Sequence, residues 1–504
     1  MMTHEQFSSG IKLIALLDGF CEFDSADDRI LTGIKSDSRL VENGDLFFAC
    51  SGQQTAGSEF IDEAINAGAC AVVVERGLGR STSNKTVPII ETKNLNEKLG
   101  YIADRFYGSP SADLNLIGVT GTNGKTSIAH ITANVLSKFG KKDAGVIGTL
   151  GTGTNAEMTA GINTTPDAIS IQKTLAEFRS SGSLDVVMEV SSHGLAQARV
   201  AGVKFDIGVF SNLSHEHLDY HGDMASYAAT KRQLFLNESM TAAVINVDDD
   251  FGRNLSSELE NRMQVINYGL KQESDESDKG TQVTGFISKA QIASLIIDVE
   301  SPWGRGEINS RLTGEFNAAN LLASLSAACL SGVDFEQALA HLSNSDDIPG
   351  RMECFSKSNS PQVLVDYAHT PDALEKSLHS LRQFEFDKLI CVVGCGGDRD
   401  VSKRPEMGRI AEKYADRIIF TNDNPRSEDP DSIIEDMLGG TLQPDFIKVI
   451  QDRSTAIADA IENAGEKDVV LIAGKGHETY QEIQGSRLPF SDRQLVRNIL
   501  GLTA

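Results

Sequence analysis

A glycine-spaced segment, LNLIGVTGTNGKTS at residues 114–127, has the residue types needed to bind a nucleotide. An apolar stretch rich in β-branched residues precedes Gly121, and a segment with helical apolar spacing follows Lys125. Glycines let backbone N–H groups approach phosphate oxygens, a lysine reaches the β and γ phosphates, and a hydroxyl can bind Mg²⁺. The segment therefore predicts a strand, a phosphate-binding loop and a helix.

One feature of this loop departs from the usual spacing. GxxxxGK[ST] requires glycine at position 119, where this chain has Val119, and the nearest glycines are Gly118 and Gly121. The alternative is a glycine-rich turn in which Gly-Lys-Thr occurs by chance. The flanking strand and helix patterns favour the phosphate loop, whose nucleotide-binding candidates are Gly121, Thr122, Asn123, Gly124, Lys125, Thr126 and Ser127.

Two further predicted strands end in residue types that are able to bind metals. Residues 184–190 form a buried type of strand that carries Glu189 near its carboxyl end, where Mg²⁺ is commonly held beside a phosphate loop. The other interpretation of Glu189 is a strand-end carboxylate without a ligand. Residues 205–213 form the next strand, and the loop after it is either a metal or catalytic cluster or polar filler; it contains His215, His217, Asp219 and His221.

Two helices are predicted around polar residues of open role. Residues 226–236 have helical spacing, and by residue type alone Lys231 is a surface lysine that extends its amine to water. Residues 314–330 predict an alanine- and leucine-rich helix with Asn317 as its N-cap.

Composition limits the classes of protein that this chain can represent. Its 504 residues suffice for about three domains of ~150 residues. With 46 Lys and Arg against 71 Asp and Glu, the net charge of −25 disfavours a general affinity for nucleic acid or anionic membranes. Seven cysteines without a CxxC pair, and no apolar run of membrane length or signal-peptide type, predict a cytoplasmic protein with reduced thiols.

The pattern of elements predicts an α/β fold in three parts. The first 112 residues indicate a small α/β domain, and alternating strands and helices at 113–348 indicate a mostly parallel sheet covered by helices. From residue 349, three predicted strands at 388–394, 417–421 and 468–473 each end in a polar loop. Ligands bind outside the carboxyl ends of such strands, so these loops should converge on one crevice.

The loop GCGGDR at 394–399 does not fit a dinucleotide fingerprint, because Arg399 occupies the position of the third glycine. The arginines and acids of the three loops are better suited to a zwitterionic ligand.

Taken together, ten ordered motifs over nearly the whole chain resemble the Mur ligases, and within that family the members that add diaminopimelate. The motifs are GTNGKTS at 121–127, NTTP at 163–166, MEVSSHGLAQARV at 188–200, NLSHEHLDYHGDMASYAATKRQLF at 212–235, GEFNAAN at 314–320, GRME at 350–353, DYAHTPDAL at 366–374, GCGGDRD at 394–400, DNPR at 423–426 and GKGHE at 474–478. GTNGKT is that family's own form of the phosphate loop.

The resemblance implies a UDP-sugar-binding domain at 1–112, a central ATPase domain at 113–348 and a Rossmann-like amino-acid-binding domain at 349–504. It implies an ATP-dependent amide ligase of peptidoglycan precursor synthesis in the bacterial cytoplasm, monomeric and acting on small molecules. The reaction would phosphorylate the D-glutamate of UDP-N-acetylmuramoyl-L-alanyl-D-glutamate, and an amine of meso-2,6-diaminopimelate would attack the acyl phosphate.

The same resemblance assigns roles to residues. Lys125, Glu189, His217 and Lys231 would be catalytic, and Mg²⁺ would be held by Thr126, Glu189, His217 and a CO₂-derived carbamate on Lys231. Further ATP contacts would be Asn317, Asn320, Arg351 and Asp366. Contacts to the UDP-muramoyl dipeptide would be Ser36, Ser38, Gln53, Gln54, Thr55, Asn163, Thr164, Thr165, Ser191, Gln197 and Arg199, and contacts to diaminopimelate would be Arg399, Asp423, Asn424, Pro425, Arg426, Gly474 and Glu478.

Arg426 favours diaminopimelate over lysine, since a guanidinium can bind the second carboxylate in a bidentate manner. His215 stands where the family has arginine and receives no role. The alternatives are a lysine-adding ligase of the same family, a ligase like folylpolyglutamate synthase, and a nucleotide-binding switch or inactive binding module.

Overall fold

The computed structural model describes residues 10–50, 57–77, 86–161, 163–271, 282–345 and 347–502. Within these residues the strands form three large sheets of four, eleven and six strands, and two small sheets of two strands. The predicted α/β class is confirmed, and each large sheet is the centre of one of three domains, here named N-terminal, central and C-terminal.

The N-terminal domain is built on a parallel sheet with strand order β3-β4-β5-β6. Apolar side chains on both faces of this sheet pack against short helices. Its elements are β1 (Ile11–Lys12), α1 (Leu13–Leu17), β2 (Ile30–Leu31), β3 (Gly33–Lys35), β4 (Asp45–Ala49), α2 (Ile61–Ala67), β5 (Ala71–Glu75), β6 (Ile89–Thr92) and α3 (Leu95–Phe106).

The central domain has the largest sheet, with order β10-β9-β8-β11-β7-β12-β13-β14-β15-β16-β17. Along this order, the neighbouring strands from β8 through β11, β7, β12, β13 and β14 to β15 pair in parallel. The β10–β9, β9–β8, β15–β16 and β16–β17 pairs are antiparallel. The elements are β7 (Asn115–Thr120), α4 (Lys125–Phe139), β8 (Gly145–Gly148), β9 (Gly151–Thr154), β10 (Glu157–Thr159), α5 (Ala168–Ser181), β11 (Asp185–Glu189), α6 (Ser192–Ala196), β12 (Ile207–Phe210), α7 (Leu218–His221), α8 (Met224–Arg232), β13 (Ala242–Asn246), α9 (Asp250–Leu259), β14 (Gln264–Leu270), β15 (Val283–Gln291), β16 (Ser294–Ser301), β17 (Gly304–Ser310), α10 (Glu315–Leu330) and α11 (Phe335–Leu342).

The C-terminal domain has a sheet of order β18-β19-β23-β20-β21-β22, in which the β18–β19 pair is antiparallel and the others are parallel. The carboxyl ends of β19, β20, β21 and β23 therefore lie at one edge. The elements are β18 (Glu353–Phe355), β19 (Gln362–Asp366), α12 (Pro371–Leu381), β20 (Leu389–Val393), α13 (Lys403–Tyr414), β21 (Arg417–Phe420), α14 (Pro430–Leu438), β22 (Lys448–Val449), α15 (Arg453–Glu462), β23 (Val469–Ala473), β24 (Tyr480–Ile483), β25 (Ser486–Pro489) and α16 (Asp492–Leu500).

Two local expectations are wrong. The N-cap of α10 is Gly314, with φ of +99°, and the side chain of Asn317 lies inside the helix and donates from Nδ2 to the carbonyl of Thr313 over 2.9 Å. Alternation of strands and helices also fails after β14, because β15, β16 and β17 follow one another as an antiparallel meander.

Among the described residues, none of the helices combines the length and the apolar character needed to cross a lipid bilayer.

Candidate active site

The phosphate loop lies between β7 and α4, as predicted. The strand is apolar and buried because it is central in the sheet, and it ends at Thr120. Gly121 and Gly124 follow with φ of +148° and +88°, and an added Cβ at either would collide with Ser211 Oγ or Asn320 Oδ1. Glycine is therefore required at both positions, and Gly124 leaves the first N–H groups of α4 exposed toward the loop.

Two lysines converge on this loop. Lys125 Nζ donates to the carbonyl oxygens of Gly121 and Thr122 over 2.9 and 2.8 Å, and Lys231 Nζ donates to the same Gly121 oxygen over 2.7 Å. Burial lowers the pKa of both amines, and the positive charge of Lys125 lowers that of Lys231 further. Lys231 is 1% exposed, so it is not the surface lysine that its residue type suggested.

Glu189 lies at the end of β11, beside the start of α4. Its carboxylate is fully buried and accepts hydrogen bonds from Thr126 Oγ1 (3.0 Å) and from the N–H and Oγ1 of Thr149 (2.7 and 3.0 Å). These donors are neutral, so the negative charge of Glu189 is not neutralised by them. A hard cation beside Thr126 and Glu189 would supply that charge.

The loop after β12 contributes an acidic residue that has no predicted role. Glu216 is largely buried, and its Oε1 lies 3.6 Å from His217 Nε2 and 3.9 Å from His369 Nε2 of the C-terminal domain. Burial alone would raise the pKa of Glu216, but the positive charges of His217, Lys125, His369 and Lys231 together outweigh it, and the pKa is lowered. Glu216 is therefore an anion close to the phosphate loop.

The described residues contain no group of three or more His, Cys, Asp or Glu side chains arranged to hold a metal ion by themselves. Thr126 and Glu189 are in direct contact, whereas His217 and Lys231 each lie against the ring of Tyr227. The four predicted magnesium ligands thus form two pairs around the loop. Thr126 and Glu189 present oxygen donors that fit Mg²⁺, His217 presents a nitrogen, and phosphate oxygens would complete the coordination.

The remaining ATP candidates lie at the boundary between the central and C-terminal domains. Arg351 Nη2 donates to Thr126 Oγ1 over 3.0 Å, and its guanidinium lies 4.5 Å from the centre of the Tyr367 ring. Asn320 Nδ2 donates to Asn317 Oδ1, both amides are buried, and that of Asn320 lies next to Gly124. The carboxylate of Asp366 accepts from Ser377 Oγ and from two backbone N–H groups, so it supports the loop after β19.

The candidates for the UDP-muramoyl dipeptide divide into three groups. Arg199 donates to Gln197 Oε1 and to the carbonyl of Thr165, and the hydroxyl of Thr165 lies 2.8 Å from the carbonyl oxygen of Glu189 and 3.0 Å from Ser191 Oγ. Ser36 and Ser38 belong to the N-terminal domain, beside β3. Gln53, Gln54 and Thr55 lie outside the described residues.

The loops at the carboxyl ends of β20, β21 and β23 meet around Arg426. Its backbone is left-handed, with φ of +51°, and Nη1 donates to the carbonyl of Gly397 over 2.6 Å. Below it, Asn424 Nδ2 and Lys475 Nζ donate to Glu478 Oε2 over 2.8 and 2.7 Å. Lys475 is fully buried, and it fixes the orientation of both Asn424 and Glu478.

One cavity of about 740 Å³ connects these loops. Its wall includes Lys125 and Glu189 at one end and Arg426 at the other, so the central and C-terminal domains share it. The predicted site residues that line it are Thr122, Asn123, Gly124, Lys125, Thr126, Ser127, Asn163, Thr164, Glu189, Ser191, Gln197, Arg199, His217, Arg351, Arg399, Asp423, Asn424, Arg426, Gly474 and Glu478. Those that do not reach its wall are Gly121, Asn317, Asn320, Asp366, Thr165, Lys231, Pro425, Ser36 and Ser38.

Several lining residues were not singled out from the sequence. Glu216, Tyr367, His369 and Lys403 all reach the cavity wall, and Lys403 Nζ donates to the carbonyl of His369 over 3.0 Å. Glu216, Tyr367 and His369 lie inside motifs quoted above, and Lys403 lies three residues after the motif at 394–400, so their membership of or nearness to these motifs is the signal that could have identified them.

Three domains of one family match consecutive parts of the chain. The catalytic domain of the Mur ligase family matches residues 30–107, the Mur ligase middle domain matches 119–328, and the Mur ligase glutamate ligase domain matches 350–476.

Individual relatives agree over nearly the full length. A Coxiella burnetii protein named UDP-N-acetylmuramoyl-L-alanyl-D-glutamate--2,6-diaminopimelate ligase is 43% identical, covering 94% of this chain and 96% of its own. A Chromobacterium violaceum protein of the same name is 45% identical over 93% and 94%. A solved structure with that name is 34% identical, with a TM-score of 0.68 over 98% of this chain and 99% of its own. On this evidence the chain belongs to the Mur ligase family.

Proposed function

We propose that this protein is an ATP-dependent amide ligase that joins meso-2,6-diaminopimelate to the D-glutamate of UDP-N-acetylmuramoyl-L-alanyl-D-glutamate in peptidoglycan precursor synthesis. The observation that carries the proposal is the shared cavity, which has a phosphate loop at one end and an arginine-containing pocket at the other. A nucleotide and an amino acid bound at these two ends would both face the middle of one cavity.

The chemistry requires both ends. A carboxylate is a poor electrophile at neutral pH until one of its oxygens becomes a leaving group, and phosphorylation by ATP supplies that group. The acyl phosphate then loses phosphate when the amine attacks its carbonyl carbon, giving the amide, ADP and phosphate. Phosphoryl transfer needs mainly alignment and positive charge, which Lys125 and Arg351 provide beside Thr126.

Thr126, Glu189, His217 and modified Lys231 would hold Mg²⁺. When bound, it would neutralise charge on the phosphate oxygens. The buried carboxylate of Glu189, which accepts only from the neutral donors Thr126 and Thr149, is the observation that fits this role.

Carbamylation of Lys231 is supported by the arrangement of the two lysines. Lys125 and Lys231 donate to one carbonyl oxygen, so two like charges would face each other in a buried space. A carbamate on Lys231 would convert this repulsion into attraction and would add two oxygens for a hard cation. Exposure to ¹³C-bicarbonate should give one carbamate signal by NMR, which the Lys231→Arg variant should lack.

The acceptor substrate would lie along the central-domain side of the cavity. Arg199 is held by Gln197 and Thr165, so its guanidinium is fixed before a ligand arrives. Such a group is suited to a carboxylate of the muramoyl dipeptide. The UDP moiety would extend toward Ser36 and Ser38 of the N-terminal domain.

Selection of the amino acid would depend on Arg426. Diaminopimelate has a second carboxylate that lysine lacks, and Arg399 and Arg426 line the same end of the cavity. Lysine lacks the second carboxylate that would accept charge-assisted hydrogen bonds from a guanidinium, which could account for discrimination of about 10⁴-fold. Asp423 and Glu478 are suited to the ammonium group beside that carboxylate.

The deciding experiment is the dependence of phosphate release from ATP on both substrates. Purified protein should release phosphate when UDP-N-acetylmuramoyl-L-alanyl-D-glutamate and meso-diaminopimelate are both present, and much more slowly when either is omitted. Equal turnover with L-lysine would favour the lysine-adding alternative. Absence of release with either amino acid would refute the proposal.

A further inference from the structure

Asp372 of the C-terminal domain contacts two loops of the central domain. It is the second residue of α12, and its Oδ2 accepts hydrogen bonds from Asn123 Nδ2 and from Ser214 Oγ, each over 2.7 Å. Asn123 belongs to the phosphate loop, and Ser214 belongs to the loop after β12. One carboxylate oxygen therefore joins both loops across the domain boundary.

The two contacts are tied to the nucleotide-binding structure. The N–H of Asn123 donates to Asn212 Oδ1 over 3.0 Å, and its carbonyl accepts from Ser211 Oγ, so the backbone of Asn123 is fixed within the central domain. The N–H of Ser214 donates to Thr122 Oγ1 over 3.0 Å. The central domain therefore holds Asn123 and Ser214 in place by itself, and Asp372 attaches the C-terminal domain to them.

Charge makes these contacts stronger than ordinary surface hydrogen bonds. Hydrogen bonds to an ionised carboxylate are roughly twice as strong as those between neutral groups. Lys376 Nζ also donates to Asp372 Oδ2 over 2.9 Å, but it lies one turn along the same helix and does not cross the boundary. Lys376 thus offers a control that shares the carboxylate but not the interdomain contact.

We infer that Asp372 is a positioning residue for the ligation: by holding Asn123 and Ser214 it keeps the C-terminal domain, with its amino-acid pocket, closed over the phosphate loop. The inference adds a residue to those that act in the proposed reaction. It rests on the proposed function for its kinetic test but not for its structural one.

The test compares Asp372→Ala with Lys376→Ala. Loss of the interdomain contact should lower kcat about 10- to 100-fold, because the closed arrangement is less populated. The Kd for ADP, measured by calorimetry, should stay within about twofold, since the phosphate loop itself is intact. Small-angle X-ray scattering with ADP should show a more extended particle for Asp372→Ala, whereas Lys376→Ala should match the unmodified protein in kcat and scattering.

Ser214→Ala provides a milder second variant if Asp372→Ala folds poorly. It should also lower kcat. Adding it to Asp372→Ala should cause little further loss, because Asp372→Ala already removes the Ser214–Asp372 contact. An unchanged kcat in Asp372→Ala and Ser214→Ala, or a fall in ADP affinity as large as the fall in kcat, would overturn the inference.

Failure of the proposed function can be told apart from failure of this inference. If the unmodified protein releases no phosphate with the proposed substrates, the proposed function is wrong. The scattering comparison still decides the role of Asp372, and identical profiles for Asp372→Ala and Lys376→Ala would then refute it.

Discussion

Arg351 and Thr126 are 225 positions apart in the sequence, yet Arg351 Nη2 donates a hydrogen bond to Thr126 Oγ1 over 3.0 Å. Thr126 lies in the first turn of α4, and Arg351 precedes β18, so the bond crosses from the C-terminal to the central domain. Arg351 Nε is buried and has no hydrogen-bond partner among the described residues. A guanidinium that lines the cavity beside the phosphate loop is suited to a phosphate oxygen.

Replacement of Arg351 by lysine should therefore reduce use of ATP. Lysine keeps the charge but loses the planar fork and the contact with the Tyr367 ring. We expect kcat/KM for ATP to fall about 100-fold, measured by phosphate release at saturating concentrations of the other substrates. The exposed Arg409, changed to lysine, is the control and should leave kcat/KM unaltered.

Replacement of Glu189 by glutamine should weaken the binding of Mg²⁺, so that activity requires a higher Mg²⁺ concentration. Glutamine can still accept from Thr126 and Thr149, but it lacks the negative charge that a hard cation requires. The Mg²⁺ concentration for half-maximal activity should rise about 10- to 100-fold in a magnesium titration.

The control for Glu189 lies on the same strand. Asp185, at the opposite end of β11, accepts from Asn115 Nδ2 over 2.8 Å and is remote from the phosphate loop. Asp185→Asn should keep the magnesium dependence of the unmodified protein. A Glu189→Gln variant with that same dependence would show that Glu189 does not hold the metal.

The sequence was informative where structure is local. The segment from β7 to α4 is predicted from apolar spacing and glycines within residues 115–139, and the strand patterns place Glu189 at the end of one strand and Arg426 in the loop after another. The prediction of Asn317 as N-cap failed for a local reason too. Gly314 reaches φ of +99°, which begins α10 three residues earlier.

Contacts between distant parts of the chain were not predictable from one sequence. Glu216 owes its position between His217 and His369 to the docking of the C-terminal domain, and Lys231 owes its burial to the phosphate loop. The spacing of apolar residues around Glu216 and Lys231 does not predict these contacts. Lys231 by residue type belongs on the surface, and the resemblance to a family, not the pattern, indicated otherwise.

Replacement of Arg426 by alanine should strongly reduce discrimination between the two amino acids. The guanidinium is fixed by Gly397, and the backbone N–H of Arg426 donates to the carbonyl of Glu482 over 3.0 Å, so its direction is set before a ligand binds. We expect kcat/KM for diaminopimelate to fall at least about 100-fold and that for lysine to change little. Arg487→Ala, an exposed arginine on the neighbouring β25, should alter neither value. An equal loss with both amino acids would contradict a role in selection.

Acid should destabilise the protein partly through His477. Burial lowers the pKa of His477 to about 3, with Arg351 and Arg493 adding to the shift, and its Nδ1 is buried without a hydrogen-bond partner among the described residues. In the unfolded chain the imidazole has its ordinary pKa of about 6.5, so as pH falls below that value the unfolded state binds a proton that the folded state does not. The stability contributed by the neutral imidazole is thus complete above pH 6.5 and decreases as pH falls toward 3. The slope from this one group reaches about 1.4 kcal/mol per pH unit.

The His477→Gln variant should therefore lose less stability between pH 7 and pH 5 than the unmodified protein does. Urea unfolding followed by fluorescence at several pH values gives the comparison, and the difference between the two proteins isolates one group from the many others that titrate. The matched control is His379→Gln, because His379 is exposed on α12 and its replacement should leave the pH dependence unchanged. If His477→Gln and the unmodified protein lose stability in parallel, the imidazole of His477 is protonated in the folded state and the assignment of a neutral ring is wrong.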